Sequence, residues 1–170
     1  NKALGSHVLL AQHNHLTGTA AFGFKLTTRD GSYAIPQAGR LTLTGQDAKM
    51  LLASYALERQ HLVYSTSELQ AQLQQGARDL ALLYGRDGDD GETVLRYQAK
   101  PTVKFLRGNA QVNWDARRGD LRLNYAHKGL IEVLISGGGR APLLLLLADE
   151  KTGWEFWRLQ AGDQSVLVRS

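Results

Sequence analysis

"GGGRAPLLLLLADEKTGWEFW", residues 137–157, carries five consecutive leucines between Pro142 and Ala148 and finishes on two tryptophans. Such a run fits a membrane span, a helix, a strand buried on both faces or a docking edge, and its neighbours decide among them. The apolar segment Leu143 to Ala148 is bounded by Pro142 and Asp149, far short of the roughly 20 residues that cross a bilayer as a helix. A short apolar run opened by Gly-rich chain and closed by two carboxylates suits a strand covered on both faces. It reads as the central strand of a sandwich, with Leu143, Leu145 and Leu147 in the core. Asp149 and Glu150 then suit a helix N-terminus, and Trp154 and Trp157, at i and i+3, would share one helix face. The expectation is a short helix that lays both indoles on the sheet and closes the sandwich.

The rest of the chain supports extended structure. "RLTLT" (40–44), "DLRLNY" (120–125) and "LIEVLIS" (130–136) alternate apolar and polar residues, the period-two pattern of half-buried strands. Turn signals separate them: Asp30-Gly31, Gly45-Gln46-Asp47, "GRDGDDG" (85–91), Arg118-Gly119-Asp120 and Lys128-Gly129. This rhythm indicates antiparallel β structure. Helix competes in "STSELQAQLQQGARDLALLYG" (65–85), where Ser65 or Ser67 could cap and propensity alone favours helix over 66–75.

Composition excludes several classes. With 170 residues, 43% hydrophobic and 21% charged, the chain can bury one core and is too apolar for a disordered one. Asn1 in place of an initiator Met, with no basic and apolar leader, reads as a piece of a longer polypeptide. The net charge of +4 comes from basic residues scattered singly or in pairs, which argues against the clustered stripe that binds nucleic acid. No cysteine is present, so disulfides, thiolate metal sites and a Cys nucleophile are excluded.

No motif carries chemistry. "GRDGDDGE" (85–92) is acidic, but its spacing fails the calcium-loop register. His13 and His15 could face one metal from a strand, yet a third ligand is missing nearby and exposed histidines are the better reading. "SGGGR" (136–140) lacks the phosphate-loop register and reads as a flexible connection. Glycoside hydrolysis needs two carboxylates facing each other across a bond. Asp47, Glu68, Asp115, Asp149, Glu150 and Glu155 are available but form no constellation in sequence. Trp114, Trp154, Trp157 and the six tyrosines could stack sugar rings, with core packing favoured for each.

Several segments together resemble a known family. "FGFKLTTRDGSYAIPQAGRLTLTGQDAKMLLASYAL" (22–57), "LVYSTSELQ" (62–70), "DLALLYGRDGDDGETVLRY" (79–97), "VNWDARRG" (112–119) and "LLLLLADEKTGWEFW" (143–157) occur in the order found in the second domain of multidomain β-galactosidases of glycoside hydrolase family 35. The resemblance implies an all-β fold: antiparallel hairpins joined to an immunoglobulin-like sandwich, with a short C-terminal helix. It moves "STSELQAQLQ" (65–74) from helix to strand. It also implies a single domain over 1–170: a hairpin part to about 75, a sandwich part over about 76–160, and 161–170 as the candidate start of a following domain.

In the family that second domain is non-catalytic, and the catalytic glutamates belong to a (β/α)8 barrel. No catalytic residue, metal or cofactor is therefore carried over. The implied partners are the barrel and downstream β domains of the same chain, with neither nucleic acid nor membrane, and the implied location of the parent is extracytoplasmic. The chain departs from fungal members at "ELQAQLQQGAR" (68–78), where they carry an aromatic-rich strand. An independent carbohydrate-binding β-sandwich is the alternative function.

Overall fold

The computed structural model describes residues 5–170. The chain begins with the short strands β1 (His7–Gln12), β2 (Thr19–Phe22), β3 (Phe24–Thr28), β4 (Gly31–Ile35) and β5 (Leu41–Thr44). Next come β6 (Ala48–Leu57), β7 (Gln60–Ser65), β8 (Glu68–Gln75), β9 (Arg78–Gly85) and β10 (Asp90–Arg96). It continues through β11 (Thr102–Arg107), β12 (Gln111–Asp115), β13 (Asp120–Ala126), β14 (Leu130–Gly137) and β15 (Arg140–Asp149). One helical turn, α1 (Glu150–Gly153), precedes β16 (Phe156–Ala161) and β17 (Gln164–Arg169). The fold is all-β and mostly antiparallel.

A six-stranded sheet, β1-β6-β7-β10-β13-β12, faces a five-stranded sheet, β11-β14-β15-β9-β8. Inward side chains of both, among them Leu62, Leu95, Leu123, Val133, Leu143 and Leu145, form the main core. Outside the six-stranded sheet the β3-β4 hairpin adds a layer, packing Phe24, Leu26 and Tyr33 against Val63 and Val94. Outside the five-stranded sheet, Phe156 and Leu167 of the β16-β17 hairpin cover Leu80, Leu82 and Leu146. The molecule is thus layered as hairpin, sheet, sheet, hairpin.

The leucine strand is the third of five, hydrogen-bonded antiparallel to β14 and parallel to β9. Strand alternation sends Leu143, Leu145 and Leu147 into the main core and Leu144 and Leu146 toward the terminal hairpin. The continuous apolar run therefore follows from having a layer on each side. Residues 68–75 are strand β8 despite their helix propensity, because pairing with β9 inserts Leu73 beneath the terminal hairpin. "SGGGR" is not a flexible connection: Gly138 and Gly139, both with positive φ, form the two-residue turn that closes β14 on β15.

The end of the opening stretch differs from expectation. The helix is only four residues long, so Trp154 is its C-cap and Trp157 lies on a strand. Neither indole closes the sandwich, since they are 70% and 61% exposed. The helix ends at Gly153, whose carbonyl accepts from Gln70 of β8 and whose Cβ would stand 2.8 Å from Gln70 Oε1, and the chain leaves as a hairpin.

Candidate functional site

The ionisable groups are committed to holding the layers together. Glu92 is buried in the six-stranded sheet and takes four neutral donors. Its Oε1 accepts from Tyr64 Oη at 2.6 Å and the Gln37 N–H at 2.8 Å, and its Oε2 accepts from Asn124 Nδ2 at 2.8 Å and the Ala38 N–H at 3.2 Å. The chain after β4 is thereby tied to β7, β10 and β13. Burial first, and then Glu92, push the Tyr64 phenol far above its usual range, so it remains a donor.

A second knot fixes the β3-β4 hairpin. Arg96 Nε donates to Asp120 Oδ1 at 2.6 Å, Arg96 Nη2 donates to Tyr33 Oη at 2.8 Å, and Tyr33 Oη donates to Asp120 Oδ2 at 2.7 Å. The Arg118 guanidinium lies 4.6 Å from the Tyr33 ring centre, and His61 Nε2 meets Asp30 Oδ2 at 2.8 Å. Beside this knot, fully buried Asp79 accepts from Arg59 Nε at 2.8 Å and Gln60 Nε2 at 2.7 Å, and Arg140 donates to the carbonyls of both Arg96 and Arg59.

Between the sheets a chain of hydroxyls ends on a histidine. His127 Nδ1 lies 2.7 Å from the Ala148 carbonyl, which can only accept, so Nδ1 carries the proton and Nε2 accepts from Ser67 Oγ at 2.8 Å. The direction propagates. Tyr125 Oη donates to Ser67 at 2.8 Å, Thr93 Oγ1 to Tyr125 at 2.7 Å, and Ser65 Oγ to Thr93 at 2.9 Å. Burial lowers the His127 pKa from its ordinary value, opposed by the Ala148 carbonyl. This Ser, Tyr and His set is enclosed, with all of its members buried, so it supplies no exposed nucleophile.

The carboxylates singled out in the sequence do not come together as an acid and base pair. Asp115 accepts from the Arg117 and Arg118 N–H groups in its own turn. Glu68 accepts from the Met50 N–H at 2.8 Å, and Asp47 faces Arg86 at 3.7 Å. Asp149 caps α1, accepting from the Thr152 and Gly129 N–H groups at 2.7 and 2.6 Å. Burial alone would raise its pKa, but these two bonds, with the Thr152 side chain and His127, together hold it below its usual value. Glu150 is the acidic residue of that first turn, and Glu155 pairs with Arg169 at 2.7 Å.

A 230 Å³ cleft does contain two carboxylates, Asp115 and Asp120, but both are already engaged as described. A 380 Å³ groove between Gly39, Asn109 and Asn124 contains only Asp90. His13 and His15 stack edge-on 5.4 Å apart, and His13 Nδ1 contacts the Gly45 carbonyl. Among the described residues no group of three or more potential ligands could hold a metal. Trp114 packs against the main core, as do Tyr55, Tyr97 and Tyr125.

Two roles escaped sequence reading. Ser65 and Ser67 serve as links in the buried hydroxyl chain, and Gly85 and Gly91 are more than turn glycines. A Cβ at Gly85 would stand 2.5 Å from the His127 ring, and one at Gly91 would fall inside the Tyr125 ring's contact distance. The available signal was spacing: Ser65/Ser67 and Tyr125/His127 are both pairs two residues apart, at the ends of β7 and β13, the two strands that flank β10.

The arrangement defines a layered all-β structural domain whose titratable side chains join strands and hairpins. The family model described as "Beta-galactosidase, domain 2" matches residues 5–156, and the chain belongs to that family. It is 25% identical to "Probable beta-galactosidase B" of Neosartorya fischeri over 91% of this chain and 15% of that protein. It is 28% identical to "Probable beta-galactosidase A" of Aspergillus fumigatus over 95% of this chain and 16% of that protein. Against "Beta-galactosidase A" of Aspergillus niger the identity is 25%, covering 82% of this chain and 13% of that protein. The chain spans about a sixth or less of the curated relatives it matches.

Proposed function

We propose that the chain is a structural domain of a β-galactosidase, in which a separate (β/α)8 barrel of the same polypeptide hydrolyses terminal β-D-galactosyl residues and this domain packs against it. Residues 1–170 then act as one domain, with β8 of the hairpin part pairing directly with β9 of the sandwich part. The observation that carries the reading is the family match over residues 5–156, supported by carboxylates that are occupied in structural bonds. Assaying the 170-residue chain and the full polypeptide on a nitrophenyl β-D-galactoside tests it. The chain alone is expected to match the buffer rate and the full polypeptide to turn over. Hydrolysis by the chain alone would sink the proposal.

A carbohydrate-binding module is the second reading, favoured by the exposure of Trp154 and Trp157. Titration calorimetry of the chain with galactose, lactose and galactan separates the two. Millimolar or tighter binding supports the module, and no heat supports the scaffold.

A further inference from the structure

We propose that the outer face of the β16-β17 hairpin is an interdomain contact surface, covered by an apolar surface of another domain of the same longer polypeptide; this rests on the structural-domain reading above. The hairpin register pairs Trp157 with Val168 and Leu159 with Val166, so these four side chains share one face. They are 61%, 42%, 56% and 41% exposed. The alternate set contains Phe156 and Leu167, which already pack on the five-stranded sheet, together with Arg158 and Arg169. The charges on the two strands therefore lie in the set that faces the sandwich, Asp163 sits in the turn, and the outward set carries none.

That distribution is the reverse of a solvated hairpin, which protects itself with charge on the outer face. Phe156 and Leu167 already cover one layer from the inward face, and a contiguous apolar patch on the other face of a folded surface marks a contact site. The occupant follows from the comparisons. The chain accounts for 13–16% of the Aspergillus niger and Aspergillus fumigatus relatives, so most of such a polypeptide lies outside it. The family match stops at residue 156, where the hairpin begins, which places this ribbon at the border between the matched domain and the remainder. A tethered neighbour is present at high effective concentration, so a modest apolar face suffices. A sugar fits less well: three of the four side chains are aliphatic, and Gln164 is the one polar residue in the outward set of β17, whereas sugar sites combine aromatic platforms with several convergent polar groups.

Hydrogen exchange of the amides of residues 156–169, measured in the 170-residue chain and in the full polypeptide, tests the assignment. Exchange is expected to slow about tenfold or more in the full polypeptide, and Leu159→Lys with Val166→Lys should abolish that slowing while leaving the melting temperature of the chain alone unchanged. Equal exchange in both contexts would overturn the proposal. So would protection that grows with concentration of the chain alone, the mark of a second copy, or protection that requires added lactose. If the full polypeptide hydrolyses galactosides yet the hairpin exchanges equally, only this surface is lost; if it does not hydrolyse them, the parent reading fails whatever the hairpin does.

Discussion

Leu145 has no exposed surface and sits at the middle of β15, facing the strands of the opposite sheet. Truncating such a leucine to alanine costs about 2–5 kcal/mol, and a carboxylate there would be buried without a partner. Leu145→Asp is expected to abolish the cooperative thermal transition, and a variant that melts like its parent would refute the buried-strand assignment. At Gly91 the added methyl of alanine meets the Tyr125 ring, a residue anchored by Ser67 and Thr93. Gly91→Ala should destabilise by about 1–3 kcal/mol in denaturant unfolding, as overpacking does. His127 adds a pH dependence. Its folded pKa lies below the ordinary histidine value of 6.5 because of burial, with Lys49 lowering it further and the Ala148 carbonyl, Asp89 and Asp149 opposing. Below 6.5 the unfolded chain therefore binds the proton that the folded one refuses, and stability falls as pH drops, by at most about 1.4 kcal/mol per pH unit from this group. Denaturant midpoints at falling pH should show this loss in the parent and a shallower one in His127→Gln.

The one-turn helix shows how an element is held by its neighbours. Asp149 bonds the N–H groups of Thr152 and Gly129, joining the end of β15 to the start of β14 as well as capping α1. Asp149→Ala should cost about 1–2 kcal/mol, the scale of a lost cap, and calorimetry of the variant would read it as a lowered melting temperature. Elements were legible in the sequence wherever alternation was local: 120–125 and 130–136 are strands β13 and β14, and the turn at Asp30-Gly31 joins β3 to β4. Residues 66–75 were ambiguous because a Gln, Ala and Leu segment satisfies both periods, and only the pairing partner β9 decides. The tryptophans misled because spacing of i and i+3 is meaningful only while the helix lasts, and α1 ends at Gly153, before either indole. The knots around Glu92 and Asp120 were illegible for another reason: their partners lie up to 87 residues away, and no local pattern announces such a contact.

At the scale of the molecule, four layers are joined by polar knots at their interfaces, two of them centred on a buried carboxylate and one on a chain of hydroxyls. The hairpin of β3 and β4 depends on Asp120, the chain after it on Glu92, and the two main sheets on the hydroxyl chain ending at His127. The all-β class was readable from turn rhythm, whereas the layering was not, because it depends on which side of each sheet receives a hairpin. The most direct test is the turnover number of the full polypeptide carrying Asp120→Asn and Glu92→Gln, measured well below its melting temperature. A domain that only supports structure predicts a lower melting temperature with kcat within about twofold of the parent; a fall of about a hundredfold or more in the folded variant, the signature of a lost acid or base, would contradict the account.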